Sequence, residues 1–210
     1  MNRIHVATED ELSEAVGARL IKELGPNFGV SLQFRRGGFG YLRSKLASFC
    51  EIAKREAILL ITDLDTGECA SKLADDWFGT RQCPELLLFR VAVREVESWL
   101  LADHEAMKEL LKKGAGKLPR QPDALVDPKS TLLQLAKKAP RDVRKDLLAE
   151  RGAFAAQGLG YNKRLCFVVR ESWNPERAAL RSESLQRARM RLRALAGKIE
   201  KSDFPGRARN

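Results

Sequence analysis

The chain is poor in the residues that build zinc sites and disulfide frameworks. Its 210 residues include four cysteines (Cys50, Cys69, Cys83, Cys166) and two histidines (His5, His104). No two cysteines form a C-x-x-C pair, so a zinc site is not expected. Scattered thiols in a chain of this size, without secretion signals, also argue against a disulfide framework. Each cysteine is expected to be a buried small residue or a free thiol. Long apolar runs are missing too. None is long enough to span a bilayer, and MNRIHVATEDELSEAV turns acidic where a signal peptide would stay apolar. The expectation is a soluble, cytoplasmic protein with no membrane partner. The chain has no Walker motif and no internal repeat, and RRGGFG matches neither the P-loop nor the dinucleotide fingerprint.

What is present is charge, unevenly distributed. Hydrophobic residues are 44% and charged residues 31%, enough apolar material to bury a core and too much for a disordered chain. The formal net charge is +10, but from Met1 to Asp103 there are 13 Lys/Arg against 16 Asp/Glu, and from His104 onward 25 against 12. An acidic half is joined to a strongly basic one. One explanation is a polyanion held by the basic half, with a cation carried by acidic residues in the other. A solvated basic surface, an acidic protein partner or a membrane surface fits the charge equally well.

Apolar runs and helical periodicity alternate. IHVAT reads as a strand; Thr8 and Glu11 have capping-box spacing, predicting a helix from near Glu9 to the stop at Gly25-Pro26. VSLQF predicts a second strand, RRGGFG a loop, and GYLRSKLASFCEIAKRE an amphipathic helix. AILLIT is the uninterrupted run of a strand covered on both faces, and LLLFRVAV a further strand. REVESWLLADHEAMKELLKK reads as one helix. Beyond it come a Gly/Pro/Lys-rich loop, short helices over STLLQLAKKAP and RDVRKDLLAERGAF, a further segment opened by QGLGYNKRL, and a last helix capped by Ser182 with a Leu185–Leu192–Ile199 stripe. SDFPGRARN reads as a loosely ordered tail. Alternating strands and helices imply a mostly parallel sheet flanked by helices, with a basic, mainly helical C-terminal extension. The division predicted is an acidic α/β core over 1–115 and a basic part over 116–210 packed on the same domain.

In such sheets, sites form at the carboxyl ends of strands. Glu9 and Asp10 follow the first strand, and Asp63 and Asp65 the central one. Two apart in an extended segment, Asp63 and Asp65 would point to the same side. Like charges so close are costly unless a cation neutralises them or one stays protonated, and hard oxygen ligands select Mg²⁺ or Mn²⁺ over zinc. The plain alternatives are a strand-ending Asp/Gly turn and, for Glu9, a favourable charge in a first helical turn. Beyond the next strand, Glu97 is a candidate further ligand, Glu95 a weaker one, and Asp103 a candidate structural residue. Arg90 and Arg94 are expected to pair with these acids. Trp77, Trp99 and Trp173 are expected to fill cores or interfaces. Arg35, Arg36, Lys129, Lys163, Arg187 and Arg191 are the candidate nucleic-acid contacts; Lys129, Tyr161, Asn162 and Lys163 sit in loop-like stretches.

The arrangement of VATEDELSEAV and LLITDLDTGE resembles the Toprim pattern of one Glu after the first strand and a D-x-D after a later one, although Asp10 stands where Toprim domains usually have Gly. FRVAVREVESWLLAD and DPKSTLLQLA also resemble segments of a bacterial family of uncharacterised, Toprim-like small proteins. The resemblance implies a Toprim-like fold, Mg²⁺ (or Mn²⁺) on Asp63 and Asp65, and Glu9 as general acid/base or metal ligand. It further implies a metal-dependent nuclease acting on DNA or RNA, in a defence or mobile-element setting with an ATPase partner. With Tyr41 and Tyr161 in ordinary contexts, hydrolysis is favoured over strand passage. The alternative is a noncatalytic nucleic-acid-binding or regulatory subunit. A haloacid-dehalogenase-type phosphatase fits poorly, since Gly67 stands where that loop needs Thr or Val and no later G-D-x-x-x-D follows.

Overall fold

A computed structural model describes residues 1–35, 40–150, 152 and 154–201. The Arg36–Phe39 part of the RRGGFG loop, Arg151, Ala153 and the SDFPGRARN tail lie outside the described residues. Four strands, β1 (Asn2–Ala7), β2 (Phe28–Phe34), β3 (Ala57–Asp63) and β4 (Leu87–Ala92), form one sheet in the order β2-β1-β3-β4. All three pairings are parallel. The central strand β3 is buried from Ala57 to Thr62, as its unbroken apolar run requires.

Helices α1 (Glu11–Lys22), α2 (Tyr41–Ile52) and α3 (Ala70–Phe78) make the crossovers. Side-chain alternation along the strands assigns the faces. Ile4, Val6, Leu59 and Ile61 pack with Leu12, Val16 and Leu20 of α1. Ala7, Ile58 and Leu60 pack with Leu42, Leu46 and Phe49 of α2 on the other face, where Trp77 and Phe78 of α3 also lie. Close packing shows at Gly17 of α1, where a Cβ would meet Val6 Cγ1 at 2.9 Å.

The remaining helices are α4 (Val96–Ala102), α5 (His104–Leu111), α6 (Pro128–Ala136), α7 (Arg141–Leu147), α8 (Tyr161–Glu171), α9 (Pro175–Ala179) and α10 (Glu183–Lys201), with two short 3₁₀ turns after α5. They gather on the α1 face, and one buried cluster runs from Ile4 through Trp99, Leu132, Leu165 and Leu192 to Ala196. Trp99 and Trp173 are wholly buried; Trp99 Nε1 donates to Ser184 Oγ at 2.7 Å and Trp173 Nε1 to the Trp99 carbonyl at 3.1 Å. Ser182 caps α10, its hydroxyl accepting from Leu185 N at 3.2 Å.

Three local expectations are corrected. The cap of α1 is Asp10, whose carboxylate accepts from Ser13 N at 2.7 Å. Thr8 is buried and its hydroxyl turns instead to the Asp10 carbonyl. The long helix after β4 is two helices, because Asp103 (φ −86°, ψ 87°) ends α4 and caps α5. Finally, α3 occupies a stretch where no element is expected, although Leu73, Ala74, Trp77 and Phe78 recur at helical spacing and form its half-buried face.

Candidate functional site

The chain leaves β1 toward β2 on one side and returns to β3 on the other, so the sheet order reverses between β1 and β3. At that point the carboxyl ends of neighbouring parallel strands diverge and leave a crevice. Glu9 lies two residues past β1 and Asp63 is the last residue of β3. Thr62, buried beside Asp63, donates its hydroxyl to Glu9 Oε1 at 2.7 Å and ties the two strand ends together.

Asp65 does not project beside Asp63 as an extended segment would have it. The chain turns at once, and Asp65 has φ 49°, in the left-handed region. The turn closes through Gly67 N to the Leu64 carbonyl at 2.8 Å, and a Cβ on Gly67 would meet that carbonyl oxygen at 2.8 Å. Arg94 is left-handed as well, with φ 64°. The two loops are bolted face to face: Asp65 N donates to the Arg94 carbonyl at 2.8 Å, and Arg94 Nη1 donates to the carbonyls of Asp65 and Gly67 at 2.9 and 2.8 Å. Left-handed non-glycine residues each carry strain that persists only where surrounding bonds over-determine them. Arg94 thus binds carbonyls, not the expected acids, and Arg90 turns to its own strand's Phe89 carbonyl. Neither arginine forms an ion pair among the described residues.

Helix N-termini converge on this corner. Asp63 Oδ1 accepts from Val96 N, the first residue of α4, at 2.9 Å. Glu95 Oε2 accepts from Lys129 N, near the start of α6, at 2.8 Å. Tyr161 opens α8 and donates its hydroxyl to Glu97 Oε1 at 2.8 Å in a buried bond. The positive ends of helix dipoles favour carboxylates there. Lys129 lays its ammonium over the Tyr161 ring, 5.3 Å from the centroid. Lys129 and Tyr161 belong to helices and not to loops, and Tyr161, buried, cannot stack a base.

The electrostatics are lopsided. Burial, and then the charges of Glu97, Asp10, Asp65 and Glu9, hold the Asp63 carboxyl well above the ordinary carboxylate range. Glu97 is pushed up to about 7, mainly by burial. Glu9, Glu95 and Asp65 are also raised, each by desolvation first. Lys129 is the cation whose charge pulls Asp65, Glu95 and Glu97 back down. Five carboxyl groups linked in a chain of pairwise repulsions beside so little positive charge is an arrangement kept at functional sites more often than elsewhere.

An all-oxygen donor set, with no imidazole or thiolate, suits a hard dication. As they stand, no three or more His, Cys, Asp or Glu side chains among the described residues sit together as a metal-binding group. Side chains would have to leave the hydrogen bonds they now make before three of them could share one ion.

Of the candidate nucleic-acid contacts, the structure brings Lys129 to this corner. Arg35 pairs with Glu14 at 3.1 Å. Lys163 is exposed on α8. Arg187, paired with Glu183, and Arg191 stand on α10 beside β4. Arg36 lies outside the described residues. Thr62 and the Tyr161–Glu97 bond escape sequence reasoning: the first is one of several strand residues, and the second joins positions 64 apart.

No family model matches this chain. No curated protein and no solved structure matches it either.

Proposed function

We propose that the chain is a divalent-cation-dependent phosphodiester-processing protein, a nuclease in its simplest form, with its site at the β1–β3 crevice. The observation that carries this reading is the grouping of Glu9, Asp63 and Asp65 with Glu97 and Glu95 at the sheet's switch point, all with raised pKa. The Toprim resemblance of the same residues supports it. Glu9, Asp63 and Asp65 would hold the ion, with Glu97 as a further ligand. Bound there, Mg²⁺ or Mn²⁺ would acidify a water and stabilise charge on a phosphoryl oxygen.

The chain's own groups have separable tasks. Thr62 orients Glu9, whose raised pKa brings it nearer the range useful for proton transfer. Lys129, anchored through its backbone to Glu95, presents a cation at the rim of the acidic corner, where a phosphate could meet it. The basic second half would retain the strand.

A noncatalytic role, beside a partner such as an ATPase, is favoured by one observation. Asp63, Glu97 and Glu9 already hold a backbone amide, a phenol and a hydroxyl. The deciding experiment incubates wild type and Asp63→Asn with single- and double-stranded DNA and RNA, with and without Mg²⁺ or Mn²⁺, and records the melting temperature in parallel. The nuclease reading expects metal-dependent cleavage, and a metal-induced rise in melting temperature, both lost in the variant. Cleavage by the variant at the wild-type rate defeats the site; a metal-dependent melting shift and binding without cleavage moves the reading to the accessory subunit.

A further inference from the structure

The strand β4 ends the sheet, paired with β3 on one side only. Two bonds fix which of its backbone groups face inward: Ile58 N donates to the Leu86 carbonyl at 2.9 Å and Leu64 N to the Ala92 carbonyl at 3.0 Å. Even-numbered residues therefore serve the β3 ladder, and the N–H and C=O groups of Leu87, Phe89 and Val91 point outward. Leu87 is satisfied locally, its N–H by the Pro84 carbonyl and its carbonyl by Cys83 Sγ. The Phe89 carbonyl accepts from the Arg90 guanidinium. The outward N–H and C=O of Val91 have no partner among the described residues.

This edge floors a groove of about 760 Å³ between α3 and α10. Its walls are Ala70 and Ala74 on one side, Met190 and Ala194 on the other, with Phe89 and Val91 between them. Met190 is 64% exposed, a large apolar side chain open to solvent. Three arginines, Arg90, Arg187 and Arg191, stand in the same groove. Past Val93, Ser184 and Arg187 it continues into a second hollow of about 640 Å³, which adds Arg120 and Arg181. The carboxylates there are committed: Asp123 accepts from Ser182 Oγ and Ser184 N at 2.7 and 2.8 Å, and Glu183 pairs with Arg187. Arg90 and Arg191 have no carboxylate partner among the described residues, and burial and then Arg191's like charge lower the pKa of Arg90.

We propose that the open edge of β4 is a docking site for an acidic, extended segment of a partner protein, which adds to the sheet as a further strand between α3 and α10. An added strand supplies both a donor and an acceptor to the edge, and its alternate side chains reach apolar walls and arginines in turn. A DNA backbone offers phosphate acceptors to the arginines but no donor to an edge carbonyl, RNA adds only isolated 2′-hydroxyls, and the apolar walls favour neither. Open edges are normally blunted because they recruit strands; here the edge is left open beside unpaired cations, which selects for acidic ones.

The test measures fluorescence anisotropy of a labelled peptide of alternating glutamate and valine against the purified full chain. Comparators are the lysine–valine peptide, the acidic peptide N-methylated on alternate residues, and a single-stranded oligodeoxynucleotide. The acidic peptide is expected to bind, and Arg90→Glu/Arg191→Glu to weaken it by about tenfold or more. N-methylation should weaken it comparably, a readout that needs no variant to fold. Val91→Pro removes an outward donor at an edge position that tolerates proline, and should have the same effect. Failure of the acidic peptide to bind, binding indifferent to N-methylation or charge reversal, or arginine-dependent binding of the oligonucleotide alone would each overturn the proposal. None of these residues belongs to the carboxylate corner, so loss of Asp63-dependent cleavage leaves this result unaffected, whereas Arg191-dependent oligonucleotide binding would give the groove to the nucleic-acid strand instead.

Discussion

Asp63, partly buried, and Asp103, fully buried, both sit beside the start of a helix, and their surroundings could hardly differ more. Asp103 is fully buried and fully answered. Arg177 grips it with two nitrogens, at 2.9 and 2.8 Å; Asn174 N donates at 2.7 Å; and Glu105 N and Ala106 N, at the start of α5, donate at 3.2 and 3.4 Å. Asp63 receives one backbone donor, from Val96, and is surrounded by other carboxylates, with no cation among the charges acting on it. The first arrangement is what a structural carboxylate needs to offset desolvation. The second leaves that cost outstanding, and is expected where a ligand or a proton completes the site.

The largest predicted effect breaks the contrast at its satisfied end. Asp103→Ala takes from Arg177 its buried partner, leaving it Glu105 and the Ser172 carbonyl, uncaps α5 and frees Asn174 N, and should cost about 2–4 kcal/mol of stability. Asp63→Asn should cost under about 1 kcal/mol at neutral pH, because the charge it removes is disfavoured by its neighbours. Urea denaturation of both variants measures the difference, and equal losses would mean that Asp63 is as structural as Asp103.

Next in size is Tyr161→Phe, which keeps the ring and deletes the phenol donated to Glu97. A buried carboxylate losing its donor is expected to cost about 1–3 kcal/mol. The loss should be greatest above pH 7, where Glu97 is charged, and Glu97 should titrate higher than in the wild type. Denaturation at two pH values separates this from a simple packing defect, which would be the same at both.

A third prediction concerns the sign of the pH dependence. The folded state raises Glu97 from 4.5 to about 7, so it holds that proton more tightly than the unfolded chain does. The stabilisation is whole below about pH 4.5 and is lost as pH rises through about 7. Glu9, Asp63, Asp65 and Glu95 are raised too and push the same way. Stability should therefore decline across this window, and Glu97→Gln should flatten the decline. A wild-type protein that gains stability from pH 5 to 7 contradicts it.

The contrast also explains what could be read from the chain alone. Strands β1, β2, β3 and β4 are visible as apolar runs, and their alternation with helices leads directly to the parallel sheet. That order puts acids at strand ends, which is why Glu9 and Asp63 can be named without coordinates. Local backbone geometry is less legible. Asp10 and Thr8 are both good caps, and only packing decides that Thr8 is buried. Asp65 lies in a two-residue spacing that suggests an extended pair, yet the loop bonds to Arg94 force it left-handed. Asp103 continues an apolar helical stripe, and beyond its local cap bonds it is held by Arg177, 74 residues away. Partners that distant leave no mark in local periodicity.

The smallest predicted effect tests the acidic corner through its cation. Lys129→Met retains an unbranched side chain over the Tyr161 ring and deletes the charge. An ammonium over a ring contributes on the order of 1 kcal/mol when partly exposed, so the stability change should stay at or below about that figure. The electrostatic change should be the more visible one: Asp65, Glu95 and Glu97 all lose a charge that now lowers them, so each should titrate higher. Carbon-detected NMR titration of the side-chain carboxyls would follow them individually. If Lys129 is only a surface lysine, none of the three moves. If it is the counter-charge of the corner, all three rise together.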